Sequence, residues 1–402
     1  MTRLLFSGGQ LLDGTGAGPG PADVVVEDGR ILAVGGGLDG DDVVDTTGLT
    51  VLPGLFDCHT HVTFSGDLDP MRRALKPFSM RYFDAVRNLA ATLDIGITTI
   101  REAGGADLGV KQAVESGVVA GPRMQISITM LSQTGGHGDS HLPSGACLRS
   151  YDPYPGNPSP IVDGPEEMRR RVRELVREGA DVIKVATSGG VLSPRDEPRH
   201  GHFRDDELGV LVAEASAAGL FVMAHAQATD GIAAAVRAGI RSIEHGIYLD
   251  EATIAMMLER GTWLVPTLLA PASVLAAADA GSNVSEWALR KTREVIAVHR
   301  ESFGRAVAAG VKVAMGTDSG VGPHGHNLEE LSLMVDHSGM SPIEAWTATT
   351  SSAAALLGVG DELGTVEPGK RADLVLLDGD PHDLEKLADR IAGVWKDGVR
   401  HR

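Results

Sequence analysis

The sequence is poor in cysteine, in aromatic residues and in positive charge. Only Cys58 and Cys147 are present among 402 residues, so no disulfide framework is expected and a reducing, cytoplasmic environment is indicated. Aromatic residues make up only 4% of the chain. Lys and Arg number 36 against 54 Asp and Glu, and the formal net charge of −18 argues against nucleic acid or an anionic membrane as a partner.

Long hydrophobic runs are also missing, and none of the apolar segments is long enough to cross a lipid bilayer. With 43% apolar and 22% charged residues, the composition is typical of a soluble globular protein. The length allows one large domain and a smaller one.

Both ends of the chain alternate short apolar runs with glycine-rich turns, a pattern typical of β-hairpins. Val24–Val26 and Ile31–Val34 are such runs near the start, and Ala372–Leu377 is one near the end. We therefore expect residues 1–51 and 360–402 to meet and form one composite β-sandwich domain.

Between these ends, over residues 52–359, apolar strand patterns alternate with helical patterns. The predicted strands are 52–57, 97–102, 124–131, 181–187, 220–225, 241–245, 262–267 and 311–317. The predicted helices are 81–93, 165–178, 205–218, 230–238, 250–260 and 285–309. Eight strands alternating with helices favour an α/β fold, a (β/α)8 TIM barrel. The stretch 132–163 is too long for a plain connection, so a functional loop is expected there.

Five of the apolar runs end in residues that can bind a metal ion. These residues are His59 with His61, then Lys184, His225, His245 and Asp318. The C-terminal ends of parallel strands converge on one rim of a barrel, where such folds build active sites. Four imidazoles, a lysine and a carboxylate at that rim can hold two divalent metal ions, so the pattern predicts a metal-dependent hydrolase.

Each of these residues also has an ordinary structural interpretation. A single histidine at a strand end is commonly a core residue, and Asp318 alone reads as a helix cap. Lys184 could reach solvent or pair with an acid, since burying an unpaired ammonium is costly. The alternative is that Lys184 loses its proton, takes up carbon dioxide and bridges two metals as N6-carboxylysine. Their shared position at strand ends favours the metal site.

These residues together resemble the amidohydrolase superfamily, in its binuclear subtype with a carboxylated lysine. The opening Pro53-Gly54 followed by Asp57-Cys-His-Thr-His, and the closing Gly364-Thr-Val-Glu-Pro-Gly, carry the resemblance. It implies that His59, His61 and Asp318 bind the first ion. His225 and His245 would bind the second, with carboxylated Lys184 bridging. Zinc is the usual metal of such relatives, and they often form homo-oligomers.

Within the superfamily the chain is most similar to the imidazolonepropionase-like branch, which includes Xaa-Pro dipeptidases (prolidases) and ochratoxin-type amidases. Thr134–Asp139, Ser188–Pro194 and Pro323–Glu329 carry this likeness. It implies that His137 contacts the substrate and stabilises the oxyanion that forms on attack.

Three further residues are expected to contact substrate: Gln227, Arg195 and His324. Gln227 follows His225 by two residues, where the dipeptidases have a tyrosine that contacts substrate, so dipeptide specificity is open. Arg195 could bind a carboxylate, although a solvated loop explains it equally well. The end of strand two reads Arg101-Glu102 where relatives usually have Arg-Asp.

The expected function is hydrolysis of an amide C–N bond in a small substrate that bears a carboxylate, such as an Xaa-Pro dipeptide or an N-acyl amino acid. A metal-bridging hydroxide would attack, with Asp318 as general base. The alternative is hydrolysis of a cyclic amide, as in imidazolonepropionase, or of an ester or lactone. Deamination is disfavoured because mononuclear deaminases lack the bridging lysine. A non-catalytic scaffold is disfavoured because all six ligand positions carry competent residues.

Overall fold

The computed structural model describes residues 2–139, 141–142, 144–147 and 153–402. Residues 148–152 of the predicted 132–163 loop, together with 140 and 143, lie outside the described part. The fold is mixed α/β with parallel sheets. Among the described residues, no helix has the length and apolar character needed to span a bilayer.

The strands fall at both ends of the chain and between the helices. They are β1 (Leu4–Ser7), β2 (Gln10–Leu11), β3 (Gly20–Pro21), β4 (Asp23–Glu27), β5 (Arg30–Gly35), β6 (Asp42–Asp45), β7 (Leu49–Pro53), β8 (Leu55–Thr60), β9 (Ile97–Glu102), β10 (Arg123–Ile126), β11 (Met130–Leu131), β12 (Val182–Ala186), β13 (Phe221–Ala226), β14 (Ser242–His245), β15 (Trp263–Val265), β16 (Leu374–Asp378), β17 (Ile391–Lys396) and β18 (Val399–Arg400).

The helices occupy the connections between these strands and the region before β16. They are α1 (Pro70–Leu75), α2 (Met80–Asp94), α3 (Leu108–Glu115), α4 (Pro165–Arg177), α5 (Asp205–Ala217), α6 (Thr229–Ala238), α7 (Glu251–Arg260), α8 (Leu269–Asp279), α9 (Glu286–Ala308), α10 (Glu329–Ser338), α11 (Pro342–Ala348) and α12 (Ser351–Leu357), with a 3₁₀ turn at Leu387–Arg390.

The two ends of the chain share one sheet. It has the order β18-β17-β16-β7-β2-β3, and a second sheet has the order β5-β4-β1-β6. β7 pairs antiparallel with β16 and parallel with β2, which joins the N-terminal and C-terminal segments directly. Phe6 and Trp395 pack edge to face at 5.0 Å between ring centroids, within an apolar cluster built from both ends of the chain.

Two parallel sheets carry the central strands, in the orders β10-β9-β8 and β11-β12-β13-β14-β15. Every residue of β8, β9 and β12 is buried, as expected for strands covered on both faces. The sheets are hydrogen-bonded to each other on one side, where Asp181 N–H donates to the carbonyl of Ile126 at 2.8 Å. On the other side the two sheets are joined through residues 311–317. Ala314 N–H donates to the carbonyl of Leu264, and Cys58 N–H donates to the carbonyl of Met315.

The structure corrects three of the predicted strands. The strand predicted over 124–131 is broken into β10 and β11, because Ile128 adopts a left-handed backbone with φ 68°. The segment 311–317 is not a regular strand, and only Val313 forms a bridge, to Leu264. The strand predicted over 52–57 begins at Leu55, since Leu52 and Pro53 pair with β16 in the terminal sheet. The other strands, and the six predicted helices, lie within two residues of the prediction.

Candidate metal centre

The structure brings the six predicted ligands together where the parallel strands end. Ligand atoms of His59, His245 and Asp318 all lie within 4.8 Å of one another. Asp318 Oδ1 is 3.1 Å from His61 Nε2 and 3.5 Å from His59 Nε2. Lys184 Nζ is 3.3 Å from His59 Nε2. The ring of His225 stands at 4.7 Å from that of His245, which completes the cluster.

Each imidazole uses one nitrogen to bond an oxygen of the protein, which leaves the other nitrogen for a ligand. The pairs are His59 Nδ1 with Glu244 Oε2 (2.8 Å), His61 Nδ1 with Gly104 O (2.7 Å), His245 Nδ1 with Thr267 Oγ1 (2.6 Å) and His225 Nε2 with Gly189 O (3.0 Å). Metal-binding histidines are oriented in this way by outer hydrogen bonds. The donor set therefore fits a metal site.

The backbone is strained at two of the ligands. His245 has φ 73° and Asp318 has φ 59°, in the left-handed region that side chains rarely adopt. Strain of this kind persists only where the surroundings enforce it, and it clusters at functional sites. Asp57 helps to hold the backbone next to these ligands, since its carboxylate accepts hydrogen bonds from the backbone N–H groups of His59 and Thr317 at 3.0 and 3.1 Å.

Burial keeps most of the imidazoles neutral. It lowers the pKa of His59 and His225 well below the usual value, and that of His245 to about 3. Burial also opposes the charged form of His61, but the hydrogen bond and the charge of Asp318 outweigh it and raise the pKa of His61. Neutral imidazole is the form that binds metals.

Lys184 is a buried amine that forms no ion pair with an acidic side chain of the described residues. Its side chain is 1% exposed, and no carboxylate of the described residues lies within ion-pair distance of its Nζ. The nearby buried Glu244 is already paired with Arg101, at 2.8 Å, and with His59. Burial lowers the pKa of Lys184 to about 8, which makes the neutral amine much more accessible near neutral pH than for an ordinary lysine. A neutral amine is the form that reacts with carbon dioxide.

The depressed imidazole pKa values predict that the chelator-treated protein is labile in acid. His245 titrates near pKa 3 when folded and near 6.5 when unfolded, so the unfolded chain binds the extra proton between these values. The free energy of unfolding should therefore fall, by about 1.4 kcal/mol per pH unit for this one proton, as pH drops below 6.5. Urea unfolding at several pH values would measure it. In His245→Gln the free energy of unfolding should depend less steeply on pH. An equal dependence in both proteins would contradict the lowered pKa of His245.

Two adjoining cavities open onto this cluster. The central one is also lined by Phe64, Asp67, Arg73 and His137. The side cavity is mostly apolar, with walls from Leu192, Ile247, Ala270, Pro271, Val274 and Val295. Gln227 lines the side cavity, and its Oε1 is buried without a hydrogen-bond partner among the described residues. His137 lines both cavities.

The structure does not bring Arg195 or His324 to either cavity wall. Arg195 is exposed, while its neighbour Asp196 turns inward. His324 is buried, and its ring contacts Thr92 Oγ1 at 3.2 Å and the carbonyl of Phe64 at 3.2 Å, so it fixes backbone. The arginine that lines the central cavity is Arg73, on α1.

Sequence reasoning missed the carboxylate that orients His59. Glu244 directly precedes His245 and is fully buried, and a charged residue inside an apolar strand was a readable signal. Its pairing with Arg101 crosses from β14 to β9 and could not be read from the sequence.

Comparisons with known proteins give the family. The model of the amidohydrolase family matches residues 50–401. The chain is 36% identical to ochratoxinase of Aspergillus niger over 364 residues, covering 87% of this chain and 75% of that one. It is 28% identical to imidazolonepropionase of Streptomyces griseus over 416 residues, covering 94% and 92%.

Solved structures agree over the whole chain. A Xaa-Pro dipeptidase with methionine bound in its active site has a TM-score of 0.91 at 32% identity, covering 100% of both chains. A prolidase complexed with N-methylphosphonate-L-proline has a TM-score of 0.91 at 35% identity, again covering 100% of both. The predicted resemblance to the imidazolonepropionase and prolidase branch is thus confirmed. Because the family match runs from β7 to β18, this chain belongs to the amidohydrolase family and is an enzyme.

Proposed function

We propose that the chain is a binuclear metal-dependent hydrolase that cleaves an amide C–N bond in a small substrate bearing a carboxylate. Two divalent cations, zinc being the usual choice, would be held by His59, His61, Lys184, His225, His245 and Asp318. Lys184 would bridge them as N6-carboxylysine. The supporting observation is that the inner ring nitrogens converge on one carboxylate: Asp318 Oδ1 lies 3.1 Å from His61 Nε2 and 3.5 Å from His59 Nε2, and ligand atoms of His59, His245 and Asp318 all lie within 4.8 Å of one another.

We also propose that the parallel segments close into a (β/α)8 barrel. The hydrogen bonds between Asp181 and Ile126, and between Cys58 and Met315, support closure. Residues 1–51 and 360–402 would then form the composite β domain beside the barrel over 52–359, which the pairing of β7 with β16 supports.

Cations held by these six residues would supply Lewis acidity, which makes a water at such a site a stronger acid and its hydroxide available near neutral pH. The protein's part in the chemistry falls to Asp318 and His137. Asp318 accepts the proton of the attacking water and later gives it to the leaving nitrogen. His137 donates to the oxygen of the scissile carbonyl, and the ring is oriented for this by Ser193 Oγ at 2.8 Å and Asp196 Oδ2 at 3.5 Å from its Nδ1.

Substrate selection would divide between the two cavities. Arg73 lines the central cavity and suits the substrate carboxylate. The side cavity suits an apolar group of the substrate, and the unpartnered Oε1 of Gln227 suits an N–H donor on that group. Two of the solved relatives are named for dipeptide substrates, which are small and bear a carboxylate: the Xaa-Pro dipeptidase and the prolidase.

A substrate panel tests the proposal. We expect metal-loaded protein to hydrolyse Xaa-Pro dipeptides or N-acyl amino acids with apolar acyl groups, and to prefer free carboxylates over the matching amides. Amine release would be followed with ninhydrin. Turnover of cyclic amides or lactones alone would favour the imidazolonepropionase-like alternative instead. Turnover of no acylated amino acid would contradict the proposed substrate class.

A further inference from the structure

Helix α9 carries a lysine that is as deeply buried as Lys184 but is not one of the six predicted metal ligands. Lys291 is 1% exposed, and its Nζ donates to the carbonyl oxygens of Gly190 at 3.0 Å, Ser193 at 2.9 Å and Asp196. It also lies 3.3 Å from Asp196 Oδ1. Buried ion pairs contribute little stability beyond that of apolar side chains of equal volume. A role other than stability would therefore explain this lysine.

The three residues bound by Lys291 are the same three that hold His137. Ser193 Oγ lies 2.8 Å from His137 Nδ1, and Asp196 Oδ2 lies 3.5 Å from it. Gly190 packs its backbone against the ring, because a Cβ built there would lie 2.3 Å from His137 Cε1. The ring of His137 also stacks on His225, with centroids 4.1 Å apart and planes 17° apart.

The loop itself is internally tied, so holding it at Lys291 fixes all three contacts at once. Asp196 accepts the N–H of Gly190 at 3.1 Å and the hydroxyl of Ser193. Gly189, whose carbonyl contacts His225, is held separately. Its own N–H donates to the carbonyl of His200 at 3.0 Å. Loosening of the 190–196 segment should thus displace His137 more than His225.

We infer that Lys291 is a positioning residue for His137, which it holds against the metal cluster through Gly190, Ser193 and Asp196. The lysine itself does not line either cavity among the described residues. Nδ1 of His137 is held by the 190–196 segment, so Nε2 of His137 is the ring nitrogen left for a ligand in the cavity. The kinetic consequence rests on the proposed function, whereas the structural consequence does not.

Lys291→Met tests the inference, with Arg290→Gln as matched control. Arg290 is the adjacent residue on α9 and binds the same loop from outside, through Glu197 at 2.6 Å, but it is half exposed. In K291M we expect faster hydrogen–deuterium exchange in peptides covering 189–197. Metal content should be unchanged, and kcat should fall by about 10²-fold with little change in KM. R290Q should match the parent protein in all of these.

A double-mutant comparison separates positioning from general damage. His137→Asn should lower kcat, and adding K291M to it should cause no further loss, because the lysine acts through the histidine. Multiplicative losses, or unchanged exchange in 189–197, would overturn the inference. If K291M does not accumulate as folded protein, Asp196→Asn replaces it with the same expectations. Exchange is measured without substrate, so it decides the positioning role even if no amide is hydrolysed.

Discussion

Asp318→Asn should reduce kcat by about 10³-fold, within the range of 10²–10⁴ for loss of a general base. Asparagine keeps the size and one oxygen ligand but cannot accept the proton of the attacking water. The loss corresponds to about 4 kcal/mol of transition-state stabilisation. The other five proposed ligands are untouched, so bound metal should remain close to the parent level. Initial rates under saturating substrate, with metal analysis of the same sample, would measure both quantities.

The matched control is Asp336→Asn, the same change at an exposed aspartate on α10. It should leave kcat and metal content unaltered. Parent-like activity in D318N with metal retained would remove Asp318 from the role of base. Loss of both metal and activity would instead make Asp318 chiefly a ligand.

Lys184→Ala should abolish activity, because in the proposed centre this residue is the ligand that both cations share. We expect metal affinity to fall by more than about 10²-fold, the upper end of what loss of an orienting partner alone costs. Short carboxylic acids such as propionate should restore part of the activity, because they fit the vacated space and supply two oxygens. Metal content and rates with and without added acid would measure this. Lys312→Ala, at an exposed lysine, should change neither.

Carboxylation can be observed directly. Parent protein loaded with metal in ¹³C-bicarbonate should show a carbamate carbon signal by NMR that is absent from K184A. Parent protein that binds metal fully after rigorous removal of carbon dioxide would contradict a carbamate at this position. An amine ligand would then be the simpler assignment.

The sequence was sufficient to predict residues that the structure brings together, because most of them lie at or near the end of an apolar run. His245 is the last residue of β14 and His225 the last but one of β13, and a lysine inside the buried run of β12 has few ordinary explanations. Parallel strands end at one edge, so chain positions far apart could be expected to meet. The predicted strand over 97–102 matches β9 residue for residue.

The parts that failed depend on long-range contacts or on backbone conformation. Ile128 gives no local sign of a left-handed φ, since β-branched residues avoid it, yet it splits the predicted strand. Arg73 lies on the six-residue α1, which buries none of its residues and shows no apolar periodicity. Asp196 turns inward instead of Arg195 because Lys291, almost a hundred residues later, binds it.

Metal analysis of protein purified without chelator is the most direct test of the proposed centre. We predict about two divalent transition-metal ions per chain, loss of hydrolytic activity on chelation, and recovery of both when the metal is returned. Protein that holds no such metal, and that gains neither ions nor activity when they are supplied, would contradict a binuclear site built from these six side chains.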